Sequence, residues 1–336
     1  MTTGRDWLEE AVNRSWYGRI GITYLLLPLQ PIAALVVWWR RRFRPRAKFA
    51  AVGAPIIVVG GLTAGGTGKT PTLIALARYL SGKGFKVGVV SRGYGRKSGE
   101  SGLLVEVDHS AEKVGDEPLL IKRSVPNASV VVGDSRLAAA RSLRREHGVS
   151  IILSDDGLQH YGLPRDFEIA VLDANRRFGN GWLVPVGPLR EPIKRLQSVD
   201  FVLERNGSDP ATAFHYVPTR FVTVDGKEQL SASEASSQWA GKKVIAATGL
   251  GQPSQFFNLV HSLGLECEAI NVADHAALDL EAIENAFQPD IVVITAKDAV
   301  KLEMESCNNV WVLEVEAELP DSLYLAIEQC LKQVSI

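Results

Sequence analysis

Short apolar runs alternating with helical patterns organise this chain from residue 56 onward. Ile56-Ile57-Val58-Val59 is β-branched throughout and shows no polar alternation, which is the pattern of a strand buried on both faces. Comparable runs predict strands at 85–90, 103–107, 129–132, 150–154 and 167–172, with helices over Pro71–Leu80, Glu117–Ser124 and Ser135–His147 between them. Alternation of this kind builds a parallel α/β sheet. A transition follows at 207–215, and 216–224 reads as extended. A second α/β series then runs strand 243–247, helix 253–263, strand 265–270, helix 279–287, strand 291–295, helix 298–304, strand 310–314 and helix 320–333. The passage from Asn175 to Leu196 follows no period and is rich in Gly, Pro and Arg. A structureless stretch that long is functional or disordered, and its aromatic and apolar residues argue for function.

The N-terminal pattern is different. Ile20 to Trp39 is nearly all apolar, and Arg40, Arg41, Arg42, Arg44, Arg46 and Lys48 follow it. The apolar stretch is long enough to cross a bilayer. Pro28 and Pro31 should kink or split it, however, which favours a monotopic anchor over a single span. Asp6, Glu9 and Glu10 dilute the positive start of a signal peptide, and no cleavage site follows. A buried core helix rarely ends in so dense an arginine run, so contact with inner-membrane lipids is expected, with Trp38 and Trp39 at headgroup level. The basic cluster would keep the catalytic part on the cytoplasmic face.

Composition narrows the picture in two ways. A net charge of −1 provides no global field for nucleic acid, and no nucleic-acid partner is expected. Cys267, Cys307 and Cys330 fit neither a disulfide framework nor a zinc spacing, so they read as structural thiols in a reducing compartment. No obligate protein partner is evident.

The strongest chemical signal is Gly60-Gly61-Leu62-Thr63-Ala64-Gly65-Gly66-Thr67-Gly68-Lys69-Thr70, lying between a strand and a helix. Glycines let backbone N–H groups face one point, and the helix N-terminus adds a positive dipole end. Thr63 to Thr70 thus form a phosphate cradle, with Lys69 reaching the β/γ-phosphates and Thr70 offering its hydroxyl to Mg²⁺. The usual pattern has glycine where this chain has Thr63, which should cost backbone freedom. Downstream, Ile151-Ile152-Leu153-Ser154-Asp155-Asp156 ends a strand in paired carboxylates that repel unless a cation neutralises them, which suits metal or substrate work. Gly115-Asp116-Glu117-Pro118 alone reads as an N-cap and a helix start. Ser91-Arg92-Gly93-Tyr94-Gly95-Arg96 reads equally as a phosphate-binding or a solvated loop. Thr295-Ala296-Lys297-Asp298 has the wrong spacing for a guanine-specific motif, so ATP is expected rather than GTP. Partitioning-type P-loop ATPases carry a signature lysine where this chain has Ala64.

The ordered set of motifs resembles the tetraacyldisaccharide 4'-kinase family. It comprises T-A-G-G-T-G-K-T-P (63–71), S-R-G-Y-G (91–95), G-D-E-P (115–118), D-D-G-L-Q-H (155–160), F-G-N-G-W-L-V-P-V-G-P-L-R-E-P (178–192), G-L-G-Q-P-S-Q-F-F (249–257), D-H (274–275) and T-A-K-D-A-V-K-L (295–302). The family has Asn at Gly61, Phe at Leu158 and Glu at Ala296. The resemblance implies a P-loop kinase-like parallel α/β sandwich at 46–215 and a smaller α/β domain at 216–336 that includes a linker strand and closes over the nucleotide. The N-terminal membrane-associated segment would be 1–45. It also implies transfer of the γ-phosphoryl of ATP to the 4'-hydroxyl of a lipid disaccharide. Asp116 would then be the general base with His275 orienting or tuning it, and Thr70, Glu117 and Gln159 are the candidates to hold Mg²⁺, directly or through waters. Asp155 and Asp156 would support metal and sugar, and Arg136 and Arg190 would neutralise phosphates.

Overall fold

The computed structural model describes residues 4–18, 20–43, 52–97, 102–272, 277–302 and 309–334. Its strands are β1 (Ile56–Gly60), β2 (Val87–Ser91), β3 (Leu103–Leu104), β4 (Ser129–Val132), β5 (Ile151–Asp155), β6 (Phe167–Asp173) and β7 (Phe201–Arg205), then β8 (Ala213–Thr223), β9 (Gln229–Leu230), β10 (Val244–Thr248), β11 (Glu268–Asn271), β12 (Ile291–Thr295) and β13 (Val310–Glu318). Among the described residues they join in one continuous sheet, ordered β11-β10-β12-β13-β8-β7-β6-β1-β5-β2-β4-β3, with β9 added to β8. The first half is parallel apart from β3. β8 passes between the halves: its start runs parallel to β7, and its length runs antiparallel to β13. The expected change of unit at 215/216 therefore falls inside one strand.

Every residue of β1 is buried, as its unbroken apolar run requires. Helices Lys69–Gly82 and Asp116–Ser124 cover one face through Leu73, Leu76, Leu80, Leu119 and Ile121. Helix Arg136–Glu146 covers the other through Ala139, Ala140 and Leu143. The helix Asp321–Val334 also packs onto the first core, through Leu323, Ile327 and Leu331. There Tyr324 stacks on Tyr79 at 4.1 Å, and Glu328 pairs with Lys83 at 2.8 Å. The second half has its own two-sided core, in which Trp239 meets Phe221 and Trp311 edge-on at 4.9 and 5.5 Å.

Departures from the expected elements have local causes. The helix expected at 298–304 is Ala296–Ala299, because Thr295 caps it by accepting from the Asp298 N–H; residues 303–308 lie outside the described ones. Asp298 itself is buried and accepts from Thr248 Oγ1, the Gly249 N–H and Thr295 Oγ1, so this Lys-Asp motif anchors a turn of the second half. β7 escapes sequence reading because only Phe201-Val202-Leu203 is apolar before Glu204. Helix Ala232–Gln238 offers a capping box, Ser231 with Glu234, but lacks an apolar stripe. Cys267 and Cys330 are half-buried free thiols, and Cys307 lies outside the described residues.

At the N-terminus, helix Gly4–Tyr17 is followed by a 3-10 helix, Ile22–Leu29, and an α-helix, Gln30–Phe43. The change of helix type lies between Pro28 and Pro31, where the split was expected. Ile22–Phe43 is the described helical stretch long and apolar enough to cross a membrane, and almost none of it is buried. Ala33 and Val37, one turn apart, pack on the body, while Leu25 is 80% exposed and Trp38 and Trp39 are 55% exposed. A core helix would show the opposite distribution.

Candidate active site

β1 leads into the loop that precedes helix Lys69–Gly82. Gly65 and Gly68 take φ of +100° and +104°, which explains the glycine at each. A Cβ on Gly68 would also meet Tyr216 Oη at 2.8 Å, because the loop backs directly onto β8. Thr63 costs no backbone freedom, contrary to expectation. It has no positive φ and forms an antiparallel bridge with Leu189, and its neighbour Ala64 donates to Pro188 O at 2.8 Å. The irregular passage after Asn175 thus forms one wall of the phosphate loop. Thr67 Oγ1 is buried without a hydrogen-bond partner, and Thr70 is half-buried in the first turn of the helix.

Sheet register brings the second group of residues to the same carboxyl edge, where open α/β sheets hold ligands. Val90 of β2 stands opposite Ser154 and Val59 of β1 opposite Asp155, so Ser91 and Asp155 lie side by side. Ser91 Oγ donates to Asp155 Oδ2 at 2.9 Å, and Asp155 Oδ1 is buried with no partner. Burial, then the charges of Glu117 and Asp156, push this carboxyl up to about 7. Its neighbour behaves oppositely. Asp156 turns away at φ +45°, where Lys69 Nζ lies 3.6 Å from Oδ1 and Arg190 Nη1 2.5 Å from Oδ2. Burial works against its charge, yet Lys69 and Arg190 outweigh it and hold the carboxyl at about 2. Arg136, itself buried, donates to Asp156 O at 2.8 Å, and its Nε has no partner. Gln159 Nε2 donates to Gly61 O at 3.2 Å and ties this turn to the phosphate loop. Burial, then Arg136 and Arg92, push His160 down to about 4, so its imidazole is neutral at pH 7.

Gly115, at φ +96°, turns the chain into helix Asp116–Ser124. A Cβ there would meet Tyr94 O at 3.0 Å, and one on Gly93 would meet Val114 O at 2.7 Å, so glycine on both sides lets the two loops touch. Asp116 is 8% exposed and accepts the Glu117 N–H at 2.9 Å. From the second half, Lys297 Nζ stands 4.0 Å from Glu117 Oε1. Asp274 and His275 lie outside the described residues. The expected Lys69, Asp156, Arg136 and Arg190 are brought together, with Glu117 close enough for its charge to raise the cost of ionising Asp155. Missed were Asp173 and Arg205, which pair at 2.6 Å beside the phosphate loop. The signal that marks Asp155, a charge closing an apolar strand, marks them too.

The unpartnered oxygen of Asp155, together with Glu117 and the Thr70 hydroxyl, suits a hard divalent cation. Among the described residues no group of three or more His, Cys, Asp or Glu forms a ready-made cage. Such a site leaves coordination positions to water and phosphate oxygens, as Mg²⁺ prefers. The crowded carboxyl also has a stability cost. A native carboxyl raised from 3.8 to about 7 binds more protons than the unfolded chain across that window, so stability falls as pH rises through it. Asp155→Asn is expected to raise the thermal midpoint of the ligand-free protein by about 1.5–3 °C at pH 8, roughly 1–2 kcal/mol after relaxation. Near pH 4, at the foot of that window, the gain should largely vanish. Scanning calorimetry at both pH values checks this, and an equal gain at both would remove charge as the cause.

Residues 22–332 match the family model described as tetraacyldisaccharide-1-P 4'-kinase. The chain is 39% identical over 316 residues to a tetraacyldisaccharide 4'-kinase of Legionella pneumophila (strain Lens), covering 94% of this chain and 95% of the relative. It is 37% identical over 335 residues to one of Shewanella piezotolerans, covering 97% and 98%. Among solved structures it is similar to the "apo" form of LpxK from Aquifex aeolicus in complex with ATP, with a TM-score of 0.72 and 27% identity, over 92% of this chain and 99% of that one.

Proposed function

We infer that this chain, which belongs to the tetraacyldisaccharide-1-P 4'-kinase family, is an ATP-dependent kinase that phosphorylates the 4'-hydroxyl of a tetraacyl-disaccharide 1-phosphate, a lipid A precursor. The observation that carries the reading is the meeting of Lys69, Arg190 and Asp156 beneath a glycine-lined loop, with the unpartnered oxygen of Asp155 alongside. Phosphoryl transfer asks for this: fixed cations for the moving charge and an acidic edge for a metal. Lys69 and the amides of residues 63–70 hold the phosphates, and Arg190 and Arg136 supply further positive charge. Thr70, Glu117, Gln159 and Asp155 are the candidate holders of Mg²⁺, which would supply positive charge against the phosphates. Asp116 is the candidate base for the sugar hydroxyl, and His275 joins it on the strength of the sequence resemblance. Residues 46–215 and 216–336 act as two domains whose approach completes the site, so chemistry waits for both substrates.

The test is transfer of label from γ-³²P-ATP to the lipid disaccharide in detergent. Hydrolysis to free phosphate with no labelled lipid would leave an ATPase and end the kinase reading.

The exposed apolar helices and Arg40, Arg41 and Arg42 support peripheral attachment to the cytoplasmic face of the inner membrane, where such a lipid would be met. Trp38→Ser/Trp39→Ser is expected to weaken partition into phosphatidylglycerol vesicles more than tenfold, because each indole contributes roughly 2 kcal/mol when buried. The thermal midpoint should not move, since both rings are exposed. Unchanged flotation with the vesicles would discard this face.

A further inference from the structure

Two carbonyls of the phosphate loop accept from side chains that belong to neither the loop nor its helix. Tyr17, the last residue of the N-terminal helix, donates its hydroxyl to Ala64 O at 3.2 Å. On the other side Gln252, from the second half of the sheet, donates Nε2 to Gly66 O at 3.1 Å, and Arg205 Nη2 reaches the same oxygen at 3.2 Å. The donors are themselves braced. The Arg176 guanidinium lies 4.6 Å over the Tyr17 ring, and Arg205 is paired with Asp173 at 2.6 Å.

A trans peptide is planar, with its C=O and the following N–H pointing in opposite directions. Holding Ala64 O outward aims the Gly65 N–H inward, and holding Gly66 O outward aims the Thr67 N–H inward. These are amides a phosphate in the cradle needs. The loop cannot fix them alone, because a Cβ on Gly65 or Gly66 would meet nothing within 4 Å, so no side-chain packing stops either peptide from flipping.

We propose that Tyr17 and Gln252 are positioning residues that set the amide polarity of the phosphate loop, one from the N-terminal segment and one from the second half. The seating of the N-terminal helix and the approach of the second half are then both registered as affinity for the triphosphate. The inference rests on the nucleotide reading above and deepens it.

The experiment uses the full chain in detergent with Tyr17→Phe and Gln252→Leu. Equilibrium binding of Mg·ATP is measured by calorimetry, alongside KM for the lipid disaccharide and kcat at saturating ATP. Each substitution should raise the Kd for Mg·ATP roughly three- to tenfold, the loss of one modest hydrogen bond. The lipid KM and kcat should stay within about twofold of wild type, which a merely loosened fold would not allow. Tyr17→Phe removes a single oxygen from a half-buried ring, so it keeps the test open should Gln252→Leu fold poorly. A Kd for Mg·ATP in Tyr17→Phe within twofold of wild type overturns the proposal, as does a lipid KM that moves by the same factor as the Kd. Absence of Mg·ATP binding to the wild-type chain would instead sink the nucleotide reading.

Discussion

Asp116→Asn is expected to bind Mg·ATP within about threefold of wild type and to turn over about 10³-fold more slowly or worse. The substitution keeps the shape and the oxygen that accepts the Glu117 N–H, so helix Asp116–Ser124 should start as before. It removes only the capacity to take a proton, and a positioned base is worth about 10²–10⁴ in rate. Gly115 at φ +96° holds the residue in place from behind, against the backbone of Gly93 and Tyr94. The effect should therefore fall on kcat, not on either KM. Steady-state rates with both substrates varied are the check. Turnover within tenfold of wild type would remove Asp116 from proton transfer and move attention to the other carboxyls at this edge.

Lys69→Met should lose both affinity and rate, with kcat/KM for ATP down by about 10³. The ammonium group has two tasks. It stands 3.6 Å from Asp156 Oδ1 and is the foremost charge holding that carboxylate ionised against its burial. It is also the cation on the first turn of the helix that follows the cradle. Methionine keeps most of the packing and removes both. Lys69→Arg should rescue little, since a planar fork does not replace a compact point charge in a closed loop. If Lys69→Met keeps a tenth of wild-type kcat/KM, the cation serves the fold through Asp156 and not the nucleotide. Scanning calorimetry of the same variant separates the two outcomes.

Much of the first half was legible because strands buried on both faces need no context: a β-branched run such as 56–60 has few other uses. The phosphate loop was legible because its glycines sit where positive φ is needed, at 65 and 68. Thr63 was misread because its partner Leu189 lies in a passage with no period to locate it. Distance in sequence hides the rest. Arg190 and Asp156 are separated by 34 residues and Tyr17 and Ala64 by 47, and nothing local announces either meeting. Nor does the sequence distinguish the two adjacent aspartates. The φ of +45° at Asp156 sends it toward cations, while Asp155 stays in the strand with one oxygen bare.

The helix Asp321–Val334, with Ala317 and Leu319 just before it, lies against the core built around β1 and Lys69–Gly82. During synthesis the nucleotide-binding layers therefore emerge early but stay open along that face. Leu73, Leu76 and Tyr79 wait for a cover that is translated some 240 residues later, so this half cannot complete its packing until nearly the whole chain has left the ribosome. A ribosome stalled before residue 320 would hold a chain that has its glycine loop but exposes a greasy seam, a natural target for chaperones and proteases.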